Sequence, residues 1–303
     1  MNQTCFLGAN SRRGFVSLYG GYPGADAFLH IIKGGPGTGK SGFMRRLGAE
    51  AEARGLAVQY VLCSGDPDSL DGVYIPALSV AWADGTAPHA LEPRGFGMDA
   101  DYVNLGRFCR TPLTEADRKK VRELNQRYRA LYDAAYRRLA AATAVETGGA
   151  EAAGPEELLA GIDADAAFIE GPAQRFLRAI SCQGEIDLLD EAEKLCGTVR
   201  RLPGSSLTLL SRELERRRLP AIRCPLPLDA SVLEAVLLPW AGRAFVTERE
   251  LHGLEPSLAA LREAKALHDE LEAVYRPYMD FDALNTYTEE TVRQVFGDYY
   301  SGN

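Results

Sequence analysis

Short apolar runs of strand length alternate with stretches of helical spacing along the chain, the order that builds layered α/β units rather than a bundle or a sandwich. Ala27 to Ile32 forms the first strong run, and a helical pattern opens at Phe43. Val58 to Cys63 and Ala77 to Asp84 read as further strands, the second ending in an acid. Thr114 offers an N-cap with Asp117 in its first turn, and Val121, Leu124, Tyr128, Leu131, Tyr132 and Ala135 hold helical spacing beyond it. Leu258, Leu261, Leu267, Leu271 and Val274 do the same near the C-terminus, followed by Pro277 and a last helix from Thr288 to Phe296. These helices predict an ordinary helical layer packed on the sheets, with a lid or a dimer surface as the other readings of the pattern.

The chain repeats itself. The stretch Phe6-Leu7-Gly8-Ala9 to Leu18 matches Phe176-Leu177-Arg178-Ala179 to Leu188 at its Phe, Leu, Ala, Ser, Gly and final Leu. In the same order follow Pro36-Gly37 and Pro203-Gly204, Leu47 and Leu214, Cys63 and Cys224, and Pro76 and Pro239. His89 and His252 then each open H-x-L-E-P. Two tandem copies of one α/β unit account for this, each predicted as three layers with a mostly parallel sheet and a helical hairpin extension. The small, acidic, glycine-rich segment from Thr147 to Pro155 places the seam. A first domain is expected over 1–149, a linker over 150–170, and a second domain with a helical C-terminus over 171–303.

Between the first strand and the Phe43 helix stands Lys33-Gly34-Gly35-Pro36-Gly37-Thr38-Gly39-Lys40-Ser41, with the G-x-x-x-x-G-K-S spacing of a Walker A loop. Glycines there let successive backbone N–H groups curl around phosphates, and the following helix aims its positive dipole end at the same anion. Gly34, Gly35, Pro36, Gly37, Thr38, Gly39, Lys40 and Ser41 are therefore the candidate ATP contacts. Lys40 would reach the β and γ oxygens and Ser41 would hold Mg²⁺. No N-K-x-D base-reading motif follows, which disfavours guanine.

Laying the copies over each other at Pro36-Gly37 and Pro203-Gly204 puts Ser206 at Gly39, Leu207 at Lys40 and Thr208 at Ser41, with Arg201 and Leu202 at Gly34 and Gly35. The second loop has lost its cation and its glycines, so the second copy is expected to be a catalytically dead scaffold. Features shared by both copies then suit the fold, and features confined to the first suit the chemistry. Asp84 ends its strand as a Walker B acid does and becomes Thr247 in the second copy, which makes it the metal-side acid with Ser41. His89, kept as His252, sorts as structural.

Ser64-Gly65-Asp66-Pro67-Asp68-Ser69-Leu70-Asp71 reaches the carboxyl end of the sheet, where ligands of open α/β sheets bind. Asp66 or Asp68 is the candidate for orienting a water or accepting a hydroxyl proton, with turn formation as the competing reading of these acids. Arg12, Arg13, Arg45 and Arg46 are candidate charge stabilisers for a γ-phosphate, although such a residue is more often a solvated surface one.

At 303 residues, 46% hydrophobic and 25% charged, the chain has the size and composition of two ordinary domains. A net charge of −8 argues against a nucleic-acid partner held by phosphate neutralisation. The first residues carry no basic segment followed by an apolar core, and no apolar run reaches bilayer-spanning length, so a cytoplasmic protein with no membrane partner is expected. Six cysteines, Cys5, Cys63, Cys109, Cys182, Cys196 and Cys224, lack any C-x-x-C pair and predict reduced, mostly buried thiols.

The run F-L-G-A-N-x-x-x-G-F-V-S from Phe6, the loop G-G-P-G-T-G-K-S, the D-P-D-S-L-D-G-V-x-I-P segment from Asp66 and D-G-T-A-P-H from Asp84 together resemble an uncharacterised bacterial family of tandem P-loop NTPase (ATP-binding) proteins. The resemblance covers most of the chain. It implies a P-loop NTPase fold in both halves and nucleotide binding at the intact loop. Members carry a phosphate-loop motif in the second half too, and this chain departs there at Ser206 and Leu207. The expected activity is Mg²⁺-dependent ATP hydrolysis, with Lys40 stabilising charge, Ser41 and Asp84 holding the metal and Asp66 or Asp68 positioning water. A small-molecule or nucleotide kinase is one alternative. A nucleotide-operated module that binds a small molecule or a protein is another.

Overall fold

The computed structural model describes residues 2–24, 27–88, 91–93, 95, 97–147, 151–163 and 167–300, the side chains of 298–300 excepted. The strands before the seam are β1 (Gln3–Phe6), β2 (Gly8–Ser11), β3 (Gly14–Ser17), β4 (Phe28–Lys33), β5 (Gln59–Leu62), β6 (Leu70–Ile75), β7 (Val80–Asp84), β8 (Ala100–Asn104) and β9 (Thr143–Glu146). Those after it are β10 (Arg178–Ser181), β11 (Gly184–Asp187), β12 (Thr198–Arg201), β13 (Ile222–Pro225), β14 (Leu233–Leu238), β15 (Arg243–Val246) and β16 (Arg249–His252). The helices are α1 (Lys40–Ala53), α2 (Glu115–Leu139), α3 (Pro155–Leu158), α4 (Asp190–Cys196), α5 (Gly204–Arg217), α6 (Glu255–Tyr275) and α7 (Phe281–Tyr300). Among the described residues, no helix is long and apolar enough to cross a membrane.

The chain forms two compact units, each assembled from separate stretches of sequence. Unit 1 takes Met1–Gln3, Asp26–Tyr132 and Leu261–Asn303; unit 2 takes Thr4–Ala25 and Asp133–Ala260. This differs from the expected cut into 1–149 and 171–303, because α2 and α6 both run through the boundary. The apolar face of α7 gives the physical reason. Leu284, Val292 and Phe296 are buried in one cluster with Phe43, Met44, Leu47 and Leu105, so the C-terminal helix completes the core around the first copy's helix. Of the segment from Thr147 to Pro155, where the seam was expected, Gly148 to Ala150 lie outside the described residues.

In unit 1 the strands run in the order β5-β6-β7-β4-β8. β4 pairs in parallel, with β7 on one side and β8 on the other, whereas β5 with β6 and β6 with β7 are antiparallel. The sheet is therefore mixed rather than mostly parallel. The connections explain it, since a parallel pair needs a long crossover whereas the turns at 63–69 and 76–79 are too short for one. Unit 2 repeats the pattern as β12-β15-β14-β13, parallel at β12 with β15 and antiparallel in the other two pairs. Even the irregularity recurs, with the register shifting between Val61 and Leu62 in one sheet and between Cys224 and Pro225 in the other.

These ladders refine the repeat. Gly72 pairs with Val61 as Ala235 pairs with Cys224, so the counterpart of Cys224 is Val61 and not Cys63. The opening hairpins β2-β3 and β10-β11 share one turn. Ser11 Oγ donates to Gly14 O (2.7 Å) and accepts from Arg13 N–H, and Ser181 Oγ does the same with Gly184 O (3.1 Å) and Gln183. Gly14 at φ 104° and Gly184 at φ 114° supply the backbone conformation that other residues resist. Both hairpins lie in unit 2, where Phe6 and Phe176 exchange backbone hydrogen bonds and Asn10 Nδ2 donates to Ile180 O at 2.8 Å.

Phe296 is 1% exposed beneath the Arg54 guanidinium, 4.6 Å from its ring. Phe296→Ala should remove about 3–5 kcal/mol of stability, read from the denaturant midpoint. A loss under about 1 kcal/mol would mean that α7 is not part of this core.

Candidate functional site

The loop at 34–39 leaves β4 and delivers the chain into α1 at Lys40. Gly37 and Gly39 are favoured by angle and crowded by contact, Gly34 is crowded by contact alone, and Gly35 has open space beside it. A Cβ on Gly34 would stand 2.5 Å from Thr38 Oγ1, and one on Gly39, at φ 87°, would stand 2.6 Å from Leu284 Cδ2 of α7. Gly37, at φ 71°, is pressed against α6, where a Cβ would stand 3.1 Å from Glu272 O. The Thr38 hydroxyl is buried and donates to Gly35 O at 2.9 Å, which closes the loop on itself. Gly39 caps the helix without a side chain, so the first amides of α1 depend on acceptors from elsewhere.

Lys40 and Asp84, predicted to serve the phosphates and the metal, meet. Lys40 Nζ donates to Gly34 O and Gly35 O at 2.9 Å each and lies 3.5 Å from Asp84 Oδ2, with 14% and 13% of the two side chains exposed. The parallel ladder produces this by setting Asp84 at the end of β7 opposite Ile32 of β4, just before the loop. Asp84 Oδ1 accepts from Thr86 N–H (2.8 Å) and Thr86 Oγ1 (2.6 Å), a turn that leaves Oδ2 for the lysine. Ser41 Oγ accepts the Leu70 N–H at 3.0 Å, and its hydroxyl oxygen stands one residue along α1 from Lys40.

The acidic loop divides. Asp66 accepts from Asp68 N–H and Ser69 Oγ, and Lys265 Nζ lies 3.4 Å from its carboxylate. Its counterpart is Asp229, because Ser69 N–H donates to Asp66 O as Val232 N–H donates to Asp229 O, and Asp229 holds Ser231 in the same way. A carboxylate kept in both copies for one turn is a turn former. Asp68 is exposed and has Ser231 at its place in the second copy; its carbonyl oxygen accepts from Arg45. Asp71 is buried, as is Glu234 at its place. Of the other arginines, Arg46 pairs with Glu50 along α1, whereas Arg12 and Arg13 belong to unit 2, where Arg12 lies 3.5 Å from Asp229.

Four residues of α6 join the site that the sequence reading did not assign to it. Glu272 Oε1 accepts the Gly37 N–H at 3.3 Å, and His268 Nδ1 lies 3.9 Å from the same oxygen. Lys265 joins Asp66 to Asp269. Positions 265, 268, 269 and 272 fall on one helical stripe beside the apolar stripe of Leu267, Leu271 and Val274. The stripe is legible in the sequence, but nothing in its spacing names the loop as its target. Burial, under a Tyr128 ring 6.0 Å away, pushes the His268 pKa below its ordinary 6.5, reinforced by Lys265 and Lys40 and opposed by Glu272 and Asp269.

The second copy has no such loop. With Val80 and Arg243 at matching places, the ladders set Arg201 at Ile31 and Leu202 at Ile32, not at Gly34 and Gly35 as the sequence overlay had it. Only 202–203 then separate β12 from α5, where 34–39 separate β4 from α1. Ser206 and Leu207 are helical and buried, Leu207 among the core leucines Leu210 and Leu214. Thr247 Oγ1 donates to Leu202 O at 2.8 Å, a structural bond where Asp84 has its lysine. His89 lies outside the described residues; His252 ends β16, exposed, 3.7 Å from Glu250.

No protein-family model matches the chain, and no curated protein or solved structure matches it.

Because His268 is held toward its neutral form, the unfolded chain takes up a proton before the folded one does as pH falls through 6.5. The contribution is therefore present above pH 6.5 and is lost as pH falls toward the lowered folded value. Melting curves from pH 7.5 to 5 should show a smaller acid loss for His268→Gln than for the parent. Parallel curves would remove His268 as the source.

Proposed function

We propose that the loop at 34–41 binds a nucleoside triphosphate, foremost ATP, with Mg²⁺, and that the protein hydrolyses it. The observation that carries this reading is the meeting of Lys40 and Asp84 at 3.5 Å, on a glycine-bounded loop that opens a helix. A chance glycine turn has no reason to bring a half-buried lysine and a strand-end acid together. The donor set also suits the two ligands. Backbone amides and an ammonium suit phosphate oxygens, and the Ser41 hydroxyl with the Asp84 carboxylate suits a hard, oxygen-seeking cation.

Lys40 exchanges its carbonyl and carboxylate partners for β and γ oxygens and stabilises the charge that develops there. Ser41 and Asp84 would hold Mg²⁺, which when bound neutralises phosphate charge. Asp68, exposed and lost from the second copy, is the residue of the acidic loop that orients water; Asp66 holds the turn that presents it. In this reading the two copies are a tandem pair of P-loop NTPase-like units, as the resemblance to bacterial tandem ATP-binding proteins implies. The second is reduced to a scaffold, and the protein acts in the cytoplasm, where ATP and Mg²⁺ are at hand. A kinase acting on a small molecule or nucleotide would use the same parts with an acceptor hydroxyl in place of water.

Lys40→Ala should weaken ATP binding about ten- to a hundredfold, for the loss of a charge-assisted contact worth about 1.5–3 kcal/mol, and calorimetry should find one site per chain. Undiminished binding by this variant, or two equivalent sites, refutes the reading. Asp84→Asn should fold like the parent and lose Mg²⁺-dependent phosphate release. Normal release across a magnesium titration would remove Asp84 from the metal site, and release that requires an added acceptor would move the assignment to a kinase.

A further inference from the structure

The Gly37 amide, which in a phosphate loop faces an anion, already has one: the Glu272 carboxylate at 3.3 Å. Carboxylate and phosphate oxygens are acceptors of the same kind, and one N–H donor cannot serve both at full strength. We propose that Glu272 competes with the terminal phosphates of the nucleotide for the loop, so that binding there drives Glu272 off Gly37 and couples the ligand to α6. This rests on the triphosphate reading above and adds to it the group that sets the affinity.

The second copy supplies the comparison. At the start of α5 the Gly204 N–H donates to a glutamate too, Glu146 Oε2 at 3.3 Å. There the carboxylate is locked, because Arg249 Nη2 lies 2.9 Å from Glu146 Oε1 and the arginine is itself buried. Where the phosphate loop has been lost, a glutamate with its own arginine satisfies the helix start. Glu272 has no such lock. Among the described residues no lysine or arginine forms an ion pair with it; beside it stand His268, which burial holds toward neutrality, and the like-charged Asp269. Lys40, the nearby cation, is turned onto Asp84. Glu272 is also 46% exposed, so its carboxylate can move into water without a burial cost. An ionised carboxylate on the loop both occupies a donor and repels incoming phosphate, and these two effects share one sign.

Calorimetric titration of the full-length protein with Mg·ATP compares the parent with Glu272→Gln, Glu272→Ala and Glu146→Gln. Hydrogen exchange of peptides containing residues 34–40 is followed in parallel without nucleotide. Both Glu272 variants should bind ATP about tenfold more tightly than the parent, Glu146→Gln should bind as the parent does, and loop exchange should be faster in Glu272→Ala. If the parent binds ATP and both Glu272 variants bind equally or more weakly, this proposal is overturned and the triphosphate reading stands. If neither the parent nor any variant binds, both fall. Binding by the Glu272 variants where the parent shows none supports both.

Discussion

The parallel pairing of β4 with β7 is the constraint on which the site depends. Backbone hydrogen bonds set Ile32 opposite Asp84, and the loop that leaves β4 turns at once into α1, whose first residue is Lys40. The 3.5 Å separation of lysine and acid is thus a consequence of strand register. A slip by one residue would turn every side chain of β7 to the opposite face and take Asp84 away from the loop. The pairing is held by burial on both sides: Ile32, Phe43, Met44, Leu47 and Trp82 share one apolar cluster, closed by Leu284, Val292 and Phe296 from the far end of the chain.

That closure explains why the C-terminal helices matter to a loop near the N-terminus. Leu284 bears on Gly39 and Glu272 on Gly37, so α6 and α7 press the loop into a path that only glycine can follow. The loop is shaped twice over, by its own φ angles and by the helices that lie against it. An Ala at either position would meet both penalties together.

Comparing the two copies separates what both share from what is confined to the proposed site. Both keep the strand order, the short turn after Pro76 or Pro239, the Asp66 or Asp229 turn and a buried acid at Asp71 or Glu234. Only the first keeps the open loop, Lys40 and Asp84. In the second, the strand runs almost directly into α5, Leu207 joins the core and Thr247 bonds to its neighbouring strand. Each polar group that would have waited for a ligand has been given a partner within the protein, as buried polar groups require.

Much of this could be read from residue order. The spacing of glycines with Lys40, the acid ending an apolar strand and the repeated landmarks are local patterns, and local patterns report strands, loops, helices and duplication. The sign of each strand pair could not be read so directly, although the short turns at 63–69 and 76–79 held the clue that made the sheets mixed. Nor could the counterpart of Cys224, because Cys63 offers the matching residue type while the strand ladders, which shift at the same place in both sheets, set Val61 there. What tertiary structure alone decided is the company the loop keeps. Glu272 and Gly37 are far apart along the chain, and nothing in the helical stripe from Lys265 to Glu272 states what it will face. That depends on where the apolar faces of α6 and α7 find burial, a property of the assembled core rather than of any segment.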